Sequence, residues 1–291
     1  GSFLVDMGCP SDPPNNYAGF ATIVEYFKNT SLGASSTWCG TGNSFTRDSR
    51  AAASGWRTNE ILGIATGDAG LRAGCNASES QLACELRQTK PGFALVMIGT
   101  NDVDGIASGD VSINAYKTRL ETIVTQIQQA GTIPVLSTIP PRLDQGGALQ
   151  DEVAQVNQAI IEVAQARNIP TWNYWRALQN IGSGNRFGMD PDGIHPTTYQ
   201  NGNASILEGT ALNNGYNVRN LTALQVLAKL KSVVIDNGST DSGTTPTTTP
   251  TPTPVATFPT FKLVCTNKIL SFNILSIHFS VPLLTCNVVK L

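Results

Sequence analysis

Two short strings in the sequence hold residue types that can move a proton and stabilise a negative charge. Gly99-Thr100-Asn101-Asp102 follows directly on an apolar run, and Asp192-Gly193-Ile194-His195-Pro196 comes much later. An Asp three residues before a His lets the carboxylate reach the imidazole Nδ1–H and fix the tautomer whose Nε2 accepts a proton. An Asn just past the carboxyl end of a buried strand can donate its amide to a developing oxyanion. The chain holds two histidines, and His278 lies beyond a Pro/Thr-rich stretch, so a globular domain that uses an imidazole base must use His195. Taken alone, His195 reads as a loop residue packed beside Pro196. Taken with Asn101, in this chain order and behind a strand, it reads as a base.

The elements that must carry these residues follow from periodicity. Phe93-Ala94-Leu95-Val96-Met97-Ile98 is a continuous apolar run between Pro91-Gly92 and Gly99, the pattern of a parallel strand covered on both faces. A helix is predicted near 112–130, where Ile113, Tyr116, Leu120, Ile123, Val124 and Ile127 recur every three or four residues and Gly131 stops it. A second strand, 132–137, ends before Pro140-Pro141. An amphipathic helix near 148–167 carries Leu149, Val153, Val156, Ile160 and Val163 on one face, and a short strand follows at 170–174. The order β-α-β-α-β implies right-handed crossovers and a doubly wound parallel α/β sheet. Ligands of such sheets sit at the carboxyl ends of the strands, where Asn101 falls.

Composition narrows the function classes. The 291 residues are 41% hydrophobic, with a formal charge of −2, which suits one domain with a full core and gives no reason to expect nucleic acid or an anionic membrane as partner. Charged residues are only 14%, against roughly 25% in ordinary soluble domains; Asn, Gln, Thr, Ser and Gly take their place, as on extracellular enzymes. Sequons start at Asn29, Asn76, Asn203, Asn220 and Asn237, and together they point to a secreted glycoprotein. The six cysteines suit an oxidising compartment: Cys75 and Cys84 could close a short loop, and Cys9 and Cys39 could staple the N-terminal segment. No cysteine or histidine spacing suggests a metal. The chain begins with Gly and shows no leader, as a mature or partial chain would.

The chain reads as a globular domain over 1–235, an extended Pro/Thr linker over 236–259 and an apolar tail over 260–291. Residues 269–288 are long enough to span a membrane, but Asn273, His278, Pro282 and Asn287 interrupt them and argue against it.

With these residues in view, the chain resembles the SGNH (GDSL-like) hydrolases. Gly99-Thr100-Asn101-Asp102 and Asp192-x-x-His195 look like that superfamily's third and fifth blocks. Ser54-Gly55-Trp56-Arg57-Thr58, followed by Ile61-Leu62, looks like its second. The similarity is to secreted carbohydrate esterases of the family 3 acetyl xylan esterase kind, and it spans about residues 6–235. It implies a flavodoxin-like three-layer α/β/α sandwich and two-step acyl transfer without metal or cofactor. A Ser attacks the acyl carbon, His195 shuttles the proton and Asp192 orients it. The Gly55 N–H, the Asn101 amide and the nucleophile's own N–H hold the oxyanion. It further implies a secreted monomer acting on an acylated carbohydrate. A lipase of the same superfamily, a rhamnogalacturonan acetylesterase, or a non-catalytic carbohydrate-binding relic of the fold are the alternatives.

The nucleophile departs from the pattern. The superfamily's first block is Gly-Asp-Ser at the end of the first strand. Anchored on Asp6-Met7-Gly8-Cys9, its Ser falls on Phe3, one position from Ser2, and the apolar strand expected before it is missing. Either Ser2 is the nucleophile, or the opening residues do not belong to the native exon and the true Ser has been lost. Ser49, in Arg47-Asp48-Ser49-Arg50, is a further candidate with no strand before it.

Overall fold

A computed structural model describes residues 14–28, 43–66 and 69–236, together with the strand backbones 261–274 and 277–290. In chain order the elements are α1 Ala21–Lys28, α2 Thr58–Leu62, α3 Gln81–Thr89, β1 Phe93–Val96, α4 Asp102–Ala107, α5 Ile113–Gln129, β2 Ile133–Ser137, α6 Gln150–Arg167, β3 Thr171–Trp172, α7 Tyr174–Gln179 and α8 Gly215–Leu230. β4 Phe261–Ile274 and β5 Ile277–Lys290 complete the order. The chain divides into two units, Gly1–Leu227 and Ala228–Leu291.

In the first unit β1, β2 and β3 form a parallel sheet in that order. Phe93 faces Ile133 and Val96 faces Leu136, while β3 joins through Leu136 to Thr171 and Ser137 to Trp172. The helices between consecutive parallel strands make this the expected α/β fold with a parallel sheet.

The local reasons are those of the sequence. The Ser112 side chain caps α5 by accepting from Ala115 N, and Tyr116, Leu120, Ile123, Val124 and Ile127 form its buried face. Gly131, at φ +76°, lets the chain turn into β2. α6 buries Val153, Val156, Ile160 and Val163, and ends on Asn168 in the left-handed conformation. Leu136 and Ile139 share one core cluster with the inward faces of α5 and α6. Fully burying each such side chain contributes about 1.5–3 kcal/mol. A second cluster joins Ile61 of α2, Leu82 and Leu86 of α3, and Ile123 and Ile127 of α5.

Three expectations change. The apolar run 93–98 keeps strand pairing only through Val96, and its four strand residues are half-buried rather than covered. Among the described residues β1 is an edge strand, with a hydrogen-bonded neighbour on one side only. The strand expected at 170–174 shortens to two residues, because Asn173 caps α7 by accepting from Arg176 N. Two sequons fall on buried side chains. Asn220 is fully buried and donates to Ala204 O at 2.9 Å, while Asn203, also buried, accepts from Ser205 N at 2.8 Å. Asn76 is exposed, and Asn29 and Asn237 lie outside the described residues.

Cys75 and Cys84 are joined in a disulfide; Cys9 and Cys39 lie outside the described residues. In the second unit β4 and β5 pair antiparallel from Phe261–Lys290 to Ile274–Ile277, and Cys265 stands opposite Cys286. Among the described residues no helix is long and apolar enough to cross a membrane. The linker at 237–259 lies outside the described residues.

Candidate active site

Beyond β1 the chain makes a tight bend that aims Asn101. Gly99 is buried at φ +132°, and a Cβ there would meet the Tyr116 hydroxyl at 2.8 Å and Val156 Cγ1 at 2.9 Å. Tyr116 donates to Ile98 O at 2.9 Å, so the helix that covers the strand also fixes its end. Asn101 then stands as N-cap of α4, and its Nδ2 donates to Trp56 O at 3.0 Å. An amide nitrogen carries two hydrogens. One orients the group on Trp56, and the second can donate elsewhere.

The neighbouring Asp102 explains why the Gly55-Trp56 turn comes here. Its buried carboxylate accepts from Thr58 N at 3.1 Å and from Thr58 Oγ1 at 2.6 Å. This clamp joins the 54–58 segment to the end of β1. Burial pushes the Asp102 carboxyl above the usual range, and the two bonds from Thr58 oppose that shift. Gly55 itself is exposed at φ +77°, a conformation that favours glycine.

The second string folds into a closed loop. Met189 and Pro196 form an isolated antiparallel bridge, and Asp190 N donates to His195 O at 2.7 Å. Within it Asp192 Oδ1 accepts from Ile194 N at 2.8 Å and from His195 N at 2.9 Å, while Oδ2 lies 2.7 Å from His195 Nδ1. The backbone and side-chain bonds from His195, then the Ile194 N–H, hold the Asp192 carboxyl down at about 2. An ionised carboxylate on Nδ1 selects the tautomer in which Nε2 is the acceptor. The imidazole is 63% exposed, open to a substrate arriving from solvent. Beyond this loop residues 196–214 hold isolated bridges and 3-10 turns, and α8 begins at Gly215.

Sequence reasoning missed the residue between the two strings. Arg142 follows Pro141 beyond the carboxyl end of β2, and its side chain is 3% exposed. It donates from Nε and Nη2 to Asp144 at 2.8 and 2.7 Å, and from Nη2 and Nη1 to Asp104 at 2.9 and 3.2 Å. Nη1 also donates to Thr100 O at 2.8 Å. Leu143 N donates to Gly193 O at 2.7 Å. The available signal was position: ligand-facing residues of doubly wound sheets follow the strand ends.

Ser2 lies outside the described residues. Ser49 is half-buried, and its Oγ accepts from Ala51 N at 3.2 Å. Cys75, Glu79 and Cys84 bring potential metal ligands within 4.8 Å of one another, but the two sulfurs are bonded to each other and form no ligand set.

Comparison with known proteins bears on the same segments. The model of the GDSL-like lipase/acylhydrolase family matches residues 30–199, which include Gly55, Asn101, Asp192 and His195. Among solved structures, a lipase/acylhydrolase from Enterococcus faecalis is 21% identical, covering 61% of this chain and 72% of its own, with a TM-score of 0.40. A GDSL-like lipase from Bacteroides thetaiotaomicron is 16% identical over 60% and 73% of the two chains, with a TM-score of 0.42. An acetylxylan esterase from Geobacillus stearothermophilus is 14% identical over 78% and 91%, with a TM-score of 0.45. No curated protein matches the sequence.

Proposed function

Because the chain belongs to the GDSL-like lipase/acylhydrolase family, we propose that it is a serine ester hydrolase that removes O-acetyl or similar acyl groups from plant cell-wall polysaccharide, with His195 as base. One observation carries the reading: Asp192 is held by two backbone N–H groups and lies 2.7 Å from His195 Nδ1. A structural loop histidine has no need of an orienting carboxylate that is itself fixed in place.

In this mechanism a serine hydroxyl attacks the acyl carbon while His195 Nε2 takes its proton. The imidazolium forms beside ionised Asp192. The tetrahedral oxyanion receives the second Asn101 N–H and the Gly55 N–H. His195 then gives the proton to the sugar oxygen as its bond to the acyl carbon breaks, so that the sugar leaves as a free hydroxyl, and water repeats the sequence on the acyl-enzyme. The carbohydrate substrate is supported by the resemblance to secreted carbohydrate esterases and by the Pro/Thr stretch over 236–259. Secretion, a monomeric state and the division at 235 and 259 belong to the same proposal.

The test is acetate release from acetylated xylan and hydrolysis of p-nitrophenyl acetate. His195→Ala should abolish both. Asn101→Ala should lower kcat about a hundredfold or more, since one oxyanion donor contributes roughly 3 kcal/mol. An Asn101→Ala protein with unimpaired kcat sinks the oxyanion assignment. Ser2→Ala decides the nucleophile: retained hydrolysis would assign the attack to another serine.

A further inference from the structure

We infer that Arg142 is the positioning residue of this site, holding the Asn101 donor and the His195 base at a fixed separation through bonds to Thr100 and Asp144. The inference rests on the ester-hydrolase reading of the same residues.

The side chain is spent entirely within the protein. A guanidinium has five N–H groups in a rigid plane. Here Nε and one Nη2 hydrogen fork onto Asp144, the other Nη2 hydrogen and one from Nη1 go to the Asp104 carboxylate, and the last Nη1 hydrogen goes to Thr100 O. No donor remains for a substrate, so Arg142 is not a catalytic residue.

Each contact leads to one half of the site. Thr100 O belongs to the peptide that ends on the Asn101 nitrogen, and Asp104 lies in the first turn of α4, which Asn101 caps. On the other side the fork on Asp144 fixes the 142–144 segment. Arg142's own carbonyl is held by Gln150 Nε2, and Leu143 N donates to Gly193 O at 2.7 Å. Gly193 has no room beside that segment, since a Cβ on it would come within 2.2 Å of Asp144 N. The segment therefore sets where Gly193 lies, and Gly193 stands between Asp192 and His195. The oxyanion donor and the base come from distant parts of the chain, and this one buried cation is bonded to both neighbourhoods.

A lysine keeps the charge but has three donors on a point-like head and cannot fork onto two carboxylates and a carbonyl together. In the 291-residue chain carrying His278→Ala, so that one imidazole remains, Arg142→Lys should keep a cooperative melt. It should lower kcat on p-nitrophenyl acetate by about tenfold or more with KM changed by less than about threefold, as a misplacement near 1 Å predicts. Imidazole 15N shifts should report a smaller fraction of the Nδ1–H tautomer. A merely structural arginine would move the melt and leave the tautomer alone. If Arg142→Lys does not melt cooperatively, Asp144→Asn breaks the fork at its other end and should give the same two changes. A folded variant with wild-type kcat and tautomer overturns the inference. If the parent chain hydrolyses no ester, the hydrolase reading fails, and the tautomer readout still decides the role of Arg142 by itself.

Discussion

Replacing Gly193 by alanine should damage stability and the Asp192–His195 loop together. The residue sits at φ +76°, where an L side chain costs roughly 1–2 kcal/mol. The new Cβ would stand 2.2 Å from Asp144 N, 2.5 Å from Leu143 C and 2.8 Å from Asp144 Cα. These are backbone atoms, so no rotamer relieves the overlap. To regain ordinary contact near 3.4 Å the two segments must part by about 1.2 Å. The Leu143 N–H bond to Gly193 O, 2.7 Å in the native chain, is then lost, at about 1 kcal/mol. Together these place the destabilisation at about 2–4 kcal/mol, or a fall in Tm of roughly 5–15 °C for a domain of this size. Movement of about 1 Å beside His195 should also lower kcat about a hundredfold. The assay is a thermal melt and p-nitrophenyl acetate hydrolysis, with Gly109→Ala as reference. Gly109 has φ +82° but open space around its Cα, so it isolates the backbone cost. If Gly193→Ala melts within about 2 °C of Gly109→Ala and stays fully active, the packing of the 142–144 segment on Gly193 does not hold the loop.

Two carboxyl groups should pull stability in opposite directions with pH. Asp102 is raised in the folded protein by burial, so its contribution is present below its ordinary value near 4 and is lost as pH rises through the folded pKa; Asp102→Asn should gain on the parent in Tm as pH rises from about 4 to 7. Asp192 is lowered to about 2, so its contribution is present above about 4 and lost as pH falls toward 2; Asp192→Asn should fall behind the parent across that interval as pH rises. Melting curves that stay parallel to the parent at every pH refute either assignment. Opening the Cys75–Cys84 bridge by the double serine substitution frees a loop with a sequence separation of 9 and should cost about 2–3 kcal/mol. An unchanged Tm would show the bridge contributes nothing.

How much of this was legible in the sequence depends on the range of the interaction. The strands near 93 and 133 and the helices near 113 and 150 were legible because apolar spacing, Ser112 and Gly131 act within a few residues of where they stand. The Asp192–His195 pairing was legible for the same reason, since three residues of separation suffice for one loop to close on itself. The Cys75–Cys84 bridge was also within local reach.

Other features came only from the tertiary structure. The sequence places Asp102 in the Gly99–Asp102 string without giving it a partner, and only the fold buries it against Thr58, forty-four positions away. Nothing in the sequence singles out Arg142, and only the fold buries it among Thr100, Asp104 and Asp144. The sequons at Asn203 and Asn220 match a three-residue pattern that carries no information about burial. The apolar run at 93–98 could not disclose that its strand would stand half-covered, because coverage depends on which chains lie alongside. Residue spacing and pattern thus determined the elements and the Asp192–His195 contact, since both are local. The fold alone chose the partners of buried polar groups, because those partners are brought together by chain closure over tens of residues.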